Sequence, residues 1–196
     1  WLDEKEFQVA FVREISERKA SEESLKLTQF SFNEAAVGIW RIDSDARILD
    51  VNNKVVEMLG FSKEELESMS MKDIVPGLDD EQWRTIWDNF LEVKQESFES
   101  VHRTKDGKQI PVEISSSLLE YEGVKYRISF STDISERKKT RQDLLFSRQM
   151  LRDILDNIPV RVFWKDTNSV YLGCNDVFAR NAGLKHPAEI IGRTDY

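Results

Sequence analysis

Residues 101–139 read VHRTKDGKQIPVEISSSLLEYEGVKYRISFSTDISERKK, and this stretch decides the fold class. Apolar and polar residues alternate along it, which is typical of β-strands that bury one face. Asp106-Gly107 and Glu122-Gly123 interrupt the alternation, and such dipeptides supply the positive φ angles of tight hairpin turns. The stretch therefore predicts three consecutive antiparallel strands. On the last strand we expect the buried face to carry the apolar set Val124, Tyr126, Ile128, Phe130, Thr132 and Ile134.

The preceding residues predict two short strands, at 37–43 and 47–51, followed by several helices. Gly60 ends the first helix, because a residue without Cβ adopts the left-handed C-cap conformation easily. Ser62 with Glu65, and Asp79 with Gln82, have the spacing of capping boxes. The sequence thus predicts an α+β domain, a five-stranded antiparallel sheet with short helices and one longer helix on one face. The longer helix has an apolar stripe of Trp83, Ile86, Trp87, Phe90 and Leu91.

Two internal matches indicate that domains of one kind follow each other along the chain. EISERK at residues 14–19 and DISERK at 133–138 lie 119 residues apart. A second match, 123 residues apart, pairs Asp43 with Asp166, Asn52 with Asn175 and Gly60 with Gly183. We expect a fragment of a longer protein, with the C-terminal strand of one unit at 1–15, a helical linker at 16–31 and a complete unit at 32–135. A second helical linker at 136–158 and the N-terminal part of a following unit at 159–196 complete the division.

The strings GIWRIDSDARILDVNNKVVEMLGFSKEEL, VHRTKDGKQIPVEISSSLL and FSTDISERKK, in this order, closely resemble the PAS domain with its C-terminal PAC segment. The resemblance covers nearly the whole chain. It departs from the family at Ala46 and Ser169, where a turn glycine is common. It implies a non-catalytic, sensory and signal-transmitting part of a protein with several PAS domains, and a sensor histidine kinase of a two-component system is the favoured parent. The alternatives are a ligand-free dimerisation or interaction scaffold and the sensory region of a cyclic-dinucleotide cyclase or phosphodiesterase.

Composition limits the partners and the compartment. The formal net charge is −8 and no basic stripe interleaves with aromatic residues, so we do not expect nucleic-acid binding. Cys174 is the single cysteine, which precludes an intrachain disulfide and favours the cytoplasm. No run approaches 18 apolar residues, so any membrane anchor of the parent would lie outside this sequence.

The sequence offers no convincing catalytic or metal site. The two histidines are His102, which we expect to be a surface or cross-strand residue, and His186, whose following proline disfavours a helix. PAS domains hold haem, flavin or small organic molecules between the sheet and the long helix. Haem bound through that helix is not expected, since residues 79–94 contain no histidine, and Cys174 lies in GCND rather than in the Asn-Cys-Arg pattern of flavin photoreceptors. A core filled by side chains is the default, and the residues that would line a ligand are Ile39, Val55, Leu59, Trp83, Trp87, Ile114 and Ile128.

The linkers and the domain boundary carry the remaining predictions. Leu144, Leu151 and Ile158 recur every seven residues with Ile154 between them, which predicts a coiled-coil seam and a parallel homodimer. The alternative is a solvated helix that only spaces two domains. Asp133 precedes the linker as a predicted N-cap, with Glu136 at N3. The resemblance implies that Asp133, Ile134 and Glu136 form the junction coupling the PAS core to its output helix.

Overall fold

The computed structural model describes residues 2–195 and the side chains of residues 18–195. The chain divides into two compact units, one ending at Ser135 and one beginning at Glu136. Elements of the first unit are α1 (Leu2–Asn33), β1 (Gly38–Ile42), β2 (Ile48–Val51), α2 (Asn53–Leu59), α3 (Lys63–Glu67), α4 (Met71–Ile74), α5 (Asp80–Val93), β3 (Gln95–Arg103), β4 (Gln109–Tyr121) and β5 (Val124–Asp133). Elements from its end onward are α6 (Ser135–Asn157), β6 (Phe163–Lys165), β7 (Tyr171–Cys174), α7 (Asp176–Asn181) and a 3₁₀ helix (Pro187–Ile190).

The first unit is an α+β domain built on one antiparallel sheet, which confirms the predicted fold class. The strand order is β2-β1-β5-β4-β3, so the chain ends of the domain meet at its central strands. Local signals place the helices as expected: Gly60 caps α2 at φ 77°, and capping boxes start α3 at Ser62 and α5 at Asp79. Helices α2 to α5 cover one face of the sheet, where their buried residues pack with those of β1, β2 and β4.

The face of β5 that points into the core differs from the prediction. Arg127, Ser129 and Ser131 are buried, whereas Ile128 is half-buried and Phe130 is 41% exposed. The strand itself is where the alternation put it, but its polar side chains face the helices. The reason is that these polar groups find partners inside the domain, so their burial is compensated.

The strand predicted over residues 1–15 is wrong for residues 2–15, because these belong to α1. A strand must pair its backbone groups with a neighbouring strand, whereas a helix satisfies them within one segment. None of the strands among the described residues pairs with residues 2–15. Whether they belong to a preceding PAS unit stays a prediction.

The second unit contains a hairpin followed by two short helices. β6 and β7 pair antiparallel, and a small core of Cys174, Ala179 and Ile190 forms beside them. Cys174 lies at the end of β7, as predicted from the sequence.

Candidate functional site

A cavity of about 90 Å³ lies between the sheet and the helices of the first unit. Its helical side is apolar and is formed by Met71, Val75, Leu78, Trp83 and Ile86. Its sheet side carries five polar residues on β3 and β5. These are Ser100, His102, Arg127, Ser129 and Ser131.

His102 is the least expected member of this lining. The sequence predicted a surface or cross-strand residue, but its side chain is 1% exposed. The ring packs edge-on against Trp40 with centroids 5.4 Å apart, and neither ring nitrogen has a hydrogen-bond partner within the protein. Burial lowers the pKa of His102 from its usual 6.5 to about 4, because the charged form is poorly solvated there. The imidazole is therefore neutral at pH 7.

Arg127 is the second ionisable side chain of the cavity. Its Nη2 donates to Glu96 and its Nε donates to Ser116 Oγ at 3.2 Å, while Nη1 has no protein partner. The guanidinium lies 4.5 Å from the Phe90 ring centroid and 5.7 Å from that of Phe98. Burial lowers the pKa of Arg127, and the Glu96 carboxylate acts in the opposite direction. A cation is thus held in an aromatic setting with one donor group still unused.

Hydroxyl groups complete the polar side. Trp40 Nε1 donates to Ser131 Oγ at 2.8 Å, and Ser129 Oγ lies 2.8 Å from Ser116 Oγ. A Cβ added at Gly38 would come within 2.5 Å of Ser131 Oγ, so the β1 backbone passes directly against this hydroxyl. Position 38 must therefore lack a side chain for the Ser131 contact to form.

The pocket residues predicted from the sequence fall into three groups. Trp83 and Ile114 line the cavity. Val55, Leu59 and Trp87 are buried in the adjoining core without lining it. Ile39 and Ile128 were wrongly assigned to the pocket, because each lies between buried neighbours of the alternating strand and so points to the opposite face of the sheet.

Sequence reasoning missed His102, Arg127 and the three cavity serines. The signal that could have found them is the register of the sheet: Ser116 pairs with Ser129 across β4 and β5, and the apolar inner residues Ile110, Val112 and Ile114 share their face with Ser116. Because Ser129 pairs with Ser116, it lies on the same face of the sheet, and so do Arg127 and Ser131, two residues away on either side.

At the end of β5 the predicted junction is only partly as expected. Asp133 Oδ1 accepts a hydrogen bond from the Ser135 backbone N–H at 2.7 Å. Ile134 is buried, and its N–H donates to the Pro111 carbonyl at 3.0 Å. Because the backbone N–H of Ile134 is bonded to the sheet, α6 begins one residue later than predicted. Glu136 is therefore the second residue of α6 rather than N3.

The predicted seam residues of α6 are accessible within the described chain. Leu144, Leu151 and Ile154 are each about half exposed, at 53%, 58% and 45%. Ile158 directly follows the last helical residue and is half-buried, with its N–H bonded to the Ile154 carbonyl at 3.0 Å. The seam and the dimer stay predictions.

One side chain fastens the incoming helix to the domain, and we call its four hydrogen bonds the asparagine bridge. Asn52 is fully buried, and its Oδ1 accepts from the N–H groups of Ile39 and Val55. Its Nδ2 donates to the carbonyls of Phe32, in the last turn of α1, and Val37. The bridge therefore joins α1, β1 and α2 through one residue.

Each bond of the asparagine bridge recurs 123 residues later. Asn175 Oδ1 accepts from Val162 and Phe178, and its Nδ2 donates to Leu155 and Val160. The β-turns match too. Asp43 Oδ1 accepts from the N–H groups of Asp45 and Arg47, and Asp166 Oδ1 from those of Asn168 and Val170.

Among the described side chains, no group of three or more His, Cys, Asp or Glu residues is arranged to hold a metal ion. None of the helices in the described part of the chain has the length and apolar character needed to cross a bilayer.

Known proteins share this architecture. A solved PAS domain of an HTR-like protein from Haloarcula marismortui is 24% identical with a TM-score of 0.58, covering 61% of this chain and 98% of that one. A PAS domain from a two-component sensor histidine kinase is also 24% identical, with a TM-score of 0.51 and coverage of 58% and 98%. At these identities the likeness shows the fold.

Sequence comparison gives the family. The Methyl sulfide methyltransferase-associated sensor of Methanosarcina acetivorans is 40% identical over 94 residues, which are 46% of this chain and 9% of that protein. The match thus spans only a small part of that relative's length. The family model of the PAS domain matches residues 35–136, which are more than half of the 196 residues. The chain therefore belongs to the PAS domain family of sensory, non-catalytic modules.

Proposed function

We propose that this chain is the sensory and signal-transmitting part of a larger cytoplasmic signalling protein, and that the parent is a sensor histidine kinase of a two-component system. A relative that is named a sensor and a solved PAS domain from a two-component sensor histidine kinase support this assignment. The catalytic step would belong to the parent's kinase region.

The observation that carries the proposal is the attachment of a helix at each end of the PAS domain. Asn52 bonds directly to the Phe32 carbonyl in α1. At the other end β5 passes into α6 through Ile134, whose N–H is still bonded to the sheet. A shift of the sheet relative to the helical layer would therefore change the base of both helices, which is the mechanical requirement for transmitting a signal.

The tandem arrangement is part of the proposal. The asparagine bridge and the aspartate turn recur with one offset of 123 residues, and this supports residues 159–196 as the start of a second PAS domain. Two copies joined by α6 would let the state of one domain bias the next.

The parent acts as a homodimer in this proposal, with α6 packing in parallel against its copy. The heptad spacing of exposed apolar residues supports a second copy as the partner. Leu151→Asp should convert the dimer to a monomer in sedimentation at high micromolar concentration, because it places a charge in the seam. Leu145→Asp, at an exposed leucine outside the seam, is the matched control. A monomeric unmodified chain would contradict the dimer.

The decisive experiment for signalling replaces Asp133 by Ala in the full-length parent and measures autophosphorylation with and without stimulus. We expect the basal level or the range of output to shift beyond what the lost turn bond, about 1 kcal/mol, explains. Asp106→Ala removes a comparable side-chain acceptor from the β3–β4 turn, away from α6, and serves as the control. An unchanged basal level and range in Asp133→Ala would mean that this residue only stabilises the turn and that the coupling runs elsewhere.

A ligand-free scaffold is the second candidate, and the small volume of the cavity favours it. Without a ligand the domain would serve only to bring two chains together. Native mass spectrometry and the absorption spectrum of the purified chain distinguish the two, because a copurifying small molecule would contradict the scaffold. Because a cavity of about 90 Å³ is too small for haem or flavin, we expect a colourless protein.

A further inference from the structure

The cavity of the PAS domain has an almost entirely apolar surface, although five polar residues lie on its sheet side. Trp40 Nε1 donates to Ser131 Oγ at 2.8 Å, so this hydroxyl already has a partner. Both ring nitrogens of His102 and Nη1 of Arg127 have no hydrogen-bond partner, but each is covered by surrounding atoms and has essentially no accessible surface. The polar atoms of these three residues are therefore paired or covered, and the cavity presents apolar groups to an occupant.

Such a cavity favours an apolar occupant over water. An ordered buried water makes about three hydrogen bonds, and the cavity surface offers almost no polar atoms to form them. An apolar cavity of this kind stays dry, and its lining side chains then lack contact atoms on one side. An apolar molecule that enters restores those dispersion contacts and removes its own surface from water.

The volume of the cavity limits the occupant to a few heavy atoms. An engineered apolar cavity of about 150 Å³ binds benzene, a ring of six carbons, or a xenon atom. The cavity of the PAS domain has about 90 Å³, which is about three-fifths of that volume. In proportion, it holds a molecule of about three or four heavy atoms.

The lining also favours a polarisable occupant. The aromatic rings of Trp40, Trp83 and Phe98 and the thioether of Met71 all belong to the lining. A sulfur atom makes a favourable contact with an aromatic ring at a distance of about 5 Å. A hydrogen-bonding molecule of the same size would instead lose its bonds to water without replacement. A small dialkyl sulfide therefore matches this lining better than an alcohol or a sulfoxide.

A route into the cavity exists at its rim. Ile86 on α5 and Phe98 on β3 both line the cavity and are 36% and 39% exposed. A small molecule can exchange past these two side chains without unfolding of the domain.

We propose that this cavity binds a small uncharged apolar molecule of about three or four heavy atoms, in the chemical class of dialkyl sulfides and short alkanes. The ligand lies between Met71 and Trp83 on the helical side and Trp40 and Ile114 on the sheet side. This assignment rests on the proposed function in one respect: it names the ligand class that the sensory domain detects. Binding itself is independent of any output domain.

The experiment titrates the full chain with dimethyl sulfide and, separately, with xenon, and follows side-chain methyl signals by NMR. Ile42, Met71 and Ile114 report on the cavity, and Leu25, which is 60% exposed on α1, reports on non-specific contact. Dimethyl sulfoxide is the polar counterpart, because it adds one oxygen acceptor to dimethyl sulfide. We expect saturable shifts at the cavity methyls with both apolar probes. Dimethyl sulfoxide should bind at least about tenfold more weakly, because no donor in the cavity meets its oxygen.

One substitution made on each face of β3 locates the site. Ser100 lines the cavity, whereas Ser97 is exposed on the opposite face of the strand. Ser100→Leu fills part of the cavity and should weaken binding of dimethyl sulfide at least about tenfold. Ser97→Leu makes the same change outside the cavity and should leave binding unchanged. If Ser100→Leu fails to fold, Val75→Ile, which adds one methyl group to the lining, should give a smaller loss of affinity.

No saturable shift with dimethyl sulfide at up to about 50 mM would overturn the proposal. Equal affinity for dimethyl sulfoxide would overturn the apolar ligand class. Parallel shifts at Leu25, or unchanged binding in Ser100→Leu, would overturn the cavity as the binding site. Failure here is distinct from failure of signalling, since Asp133→Ala tests output in the parent whatever the ligand is.

Discussion

The asparagine bridge at Asn52 and its counterpart at Asn175 make the same four hydrogen bonds in different surroundings. Asn52 lies in a five-stranded sheet domain with an extended core. Asn175 lies beside a two-stranded hairpin with a core of a few residues. Both bridges join residues at the same sequence offsets from the asparagine, so the local sequence sets their geometry.

The cavity, unlike the bridge, depends on strands that are far apart in the sequence. Its polar side comes from β3 and β5, and these strands have no counterpart among the described residues of the second unit. The comparison separates two features: the asparagine bridge recurs in both units, whereas the cavity is built on β3 and β5 of the first unit. The predictions below test this separation, beginning with the largest effect.

Trp83→Ala should destabilise the first unit by roughly 3–5 kcal/mol, because it removes a buried indole and leaves a cavity. It also removes the indole bond to the Ser44 carbonyl. Trp164→Ala in the second unit should have a clearly smaller effect, since Trp164 is 43% exposed. Slow amide exchange in β5 and in β7 measures the two units separately. Equal losses would show that the second unit is as closed as the first.

Asn52→Ala should destabilise the first unit by roughly 3 kcal/mol, since buried backbone donors and carbonyls lose their partners together. Asn175→Ala should have a similar effect on the second unit. Exchange of the Ile39 and Val162 amides, one from each bridge, gives the measurement. If only Ile39 lost protection, the two bridges would not be equivalent despite their geometry.

Acid should weaken the first unit through His102. Its pKa is about 4 in the folded state against 6.5 for an unperturbed histidine, so between these values the unfolded chain binds a proton that the folded chain does not. Stability should therefore fall as the pH drops from about 6.5 to 4, by roughly 3 kcal/mol in total. Urea unfolding at several pH values tests this.

The matched variants for this prediction are His102→Gln and His186→Gln. The first should flatten the pH dependence between 6.5 and 4 in the first unit, and the second should retain it. A slope that survives His102→Gln would assign acid sensitivity to carboxylates instead.

Replacing Ala46 or Ser169 by glycine should have the smallest effects on the free energy of unfolding. Ala46 and Ser169 adopt left-handed φ angles of 67° and 64°, which glycine adopts without strain. Ser169 is exposed, so Ser169→Gly should stabilise the second unit by roughly 0.5 kcal/mol. Ala46 is fully buried, and Ala46→Gly should be near neutral because the lost methyl burial offsets the relieved strain. Thermal unfolding of the two variants measures these effects. A clear stabilisation by Ala46→Gly would show that the relieved backbone strain outweighs the lost methyl burial.

The sequence predicts the parts of this fold that depend on neighbours along the chain. Gly60, Ser62 and the Glu122-Gly123 turn, at φ 52° and 77°, all behave as their local chemistry requires. Period-2 alternation finds β5 but does not say which face is inside. That choice depends on partners far apart in sequence, such as Trp40 with Ser131, 91 residues away.

The candidate site was missed for the same reason. Hydrophobicity placed Ile128 inside and Arg127 outside, because an isolated arginine is expensive to bury. Contacts with Glu96, Phe90 and Phe98 reverse that preference, and none is visible in the local pattern. His102 is buried although its strand neighbours Val101 and Arg103 are exposed, because it lies on the face of β3 that lines the cavity.

The start of α6 directly beside the sheet has a geometric consequence. The helix has 23 residues, which at 1.5 Å per residue is a rod of roughly 34 Å. A tilt of about 5° at its base would carry the far end through roughly 3 Å, about half a helical turn. α6 begins directly after Ile134, whose N–H is bonded to the Pro111 carbonyl at 3.0 Å, so a displacement at that contact acts at the base of the rod.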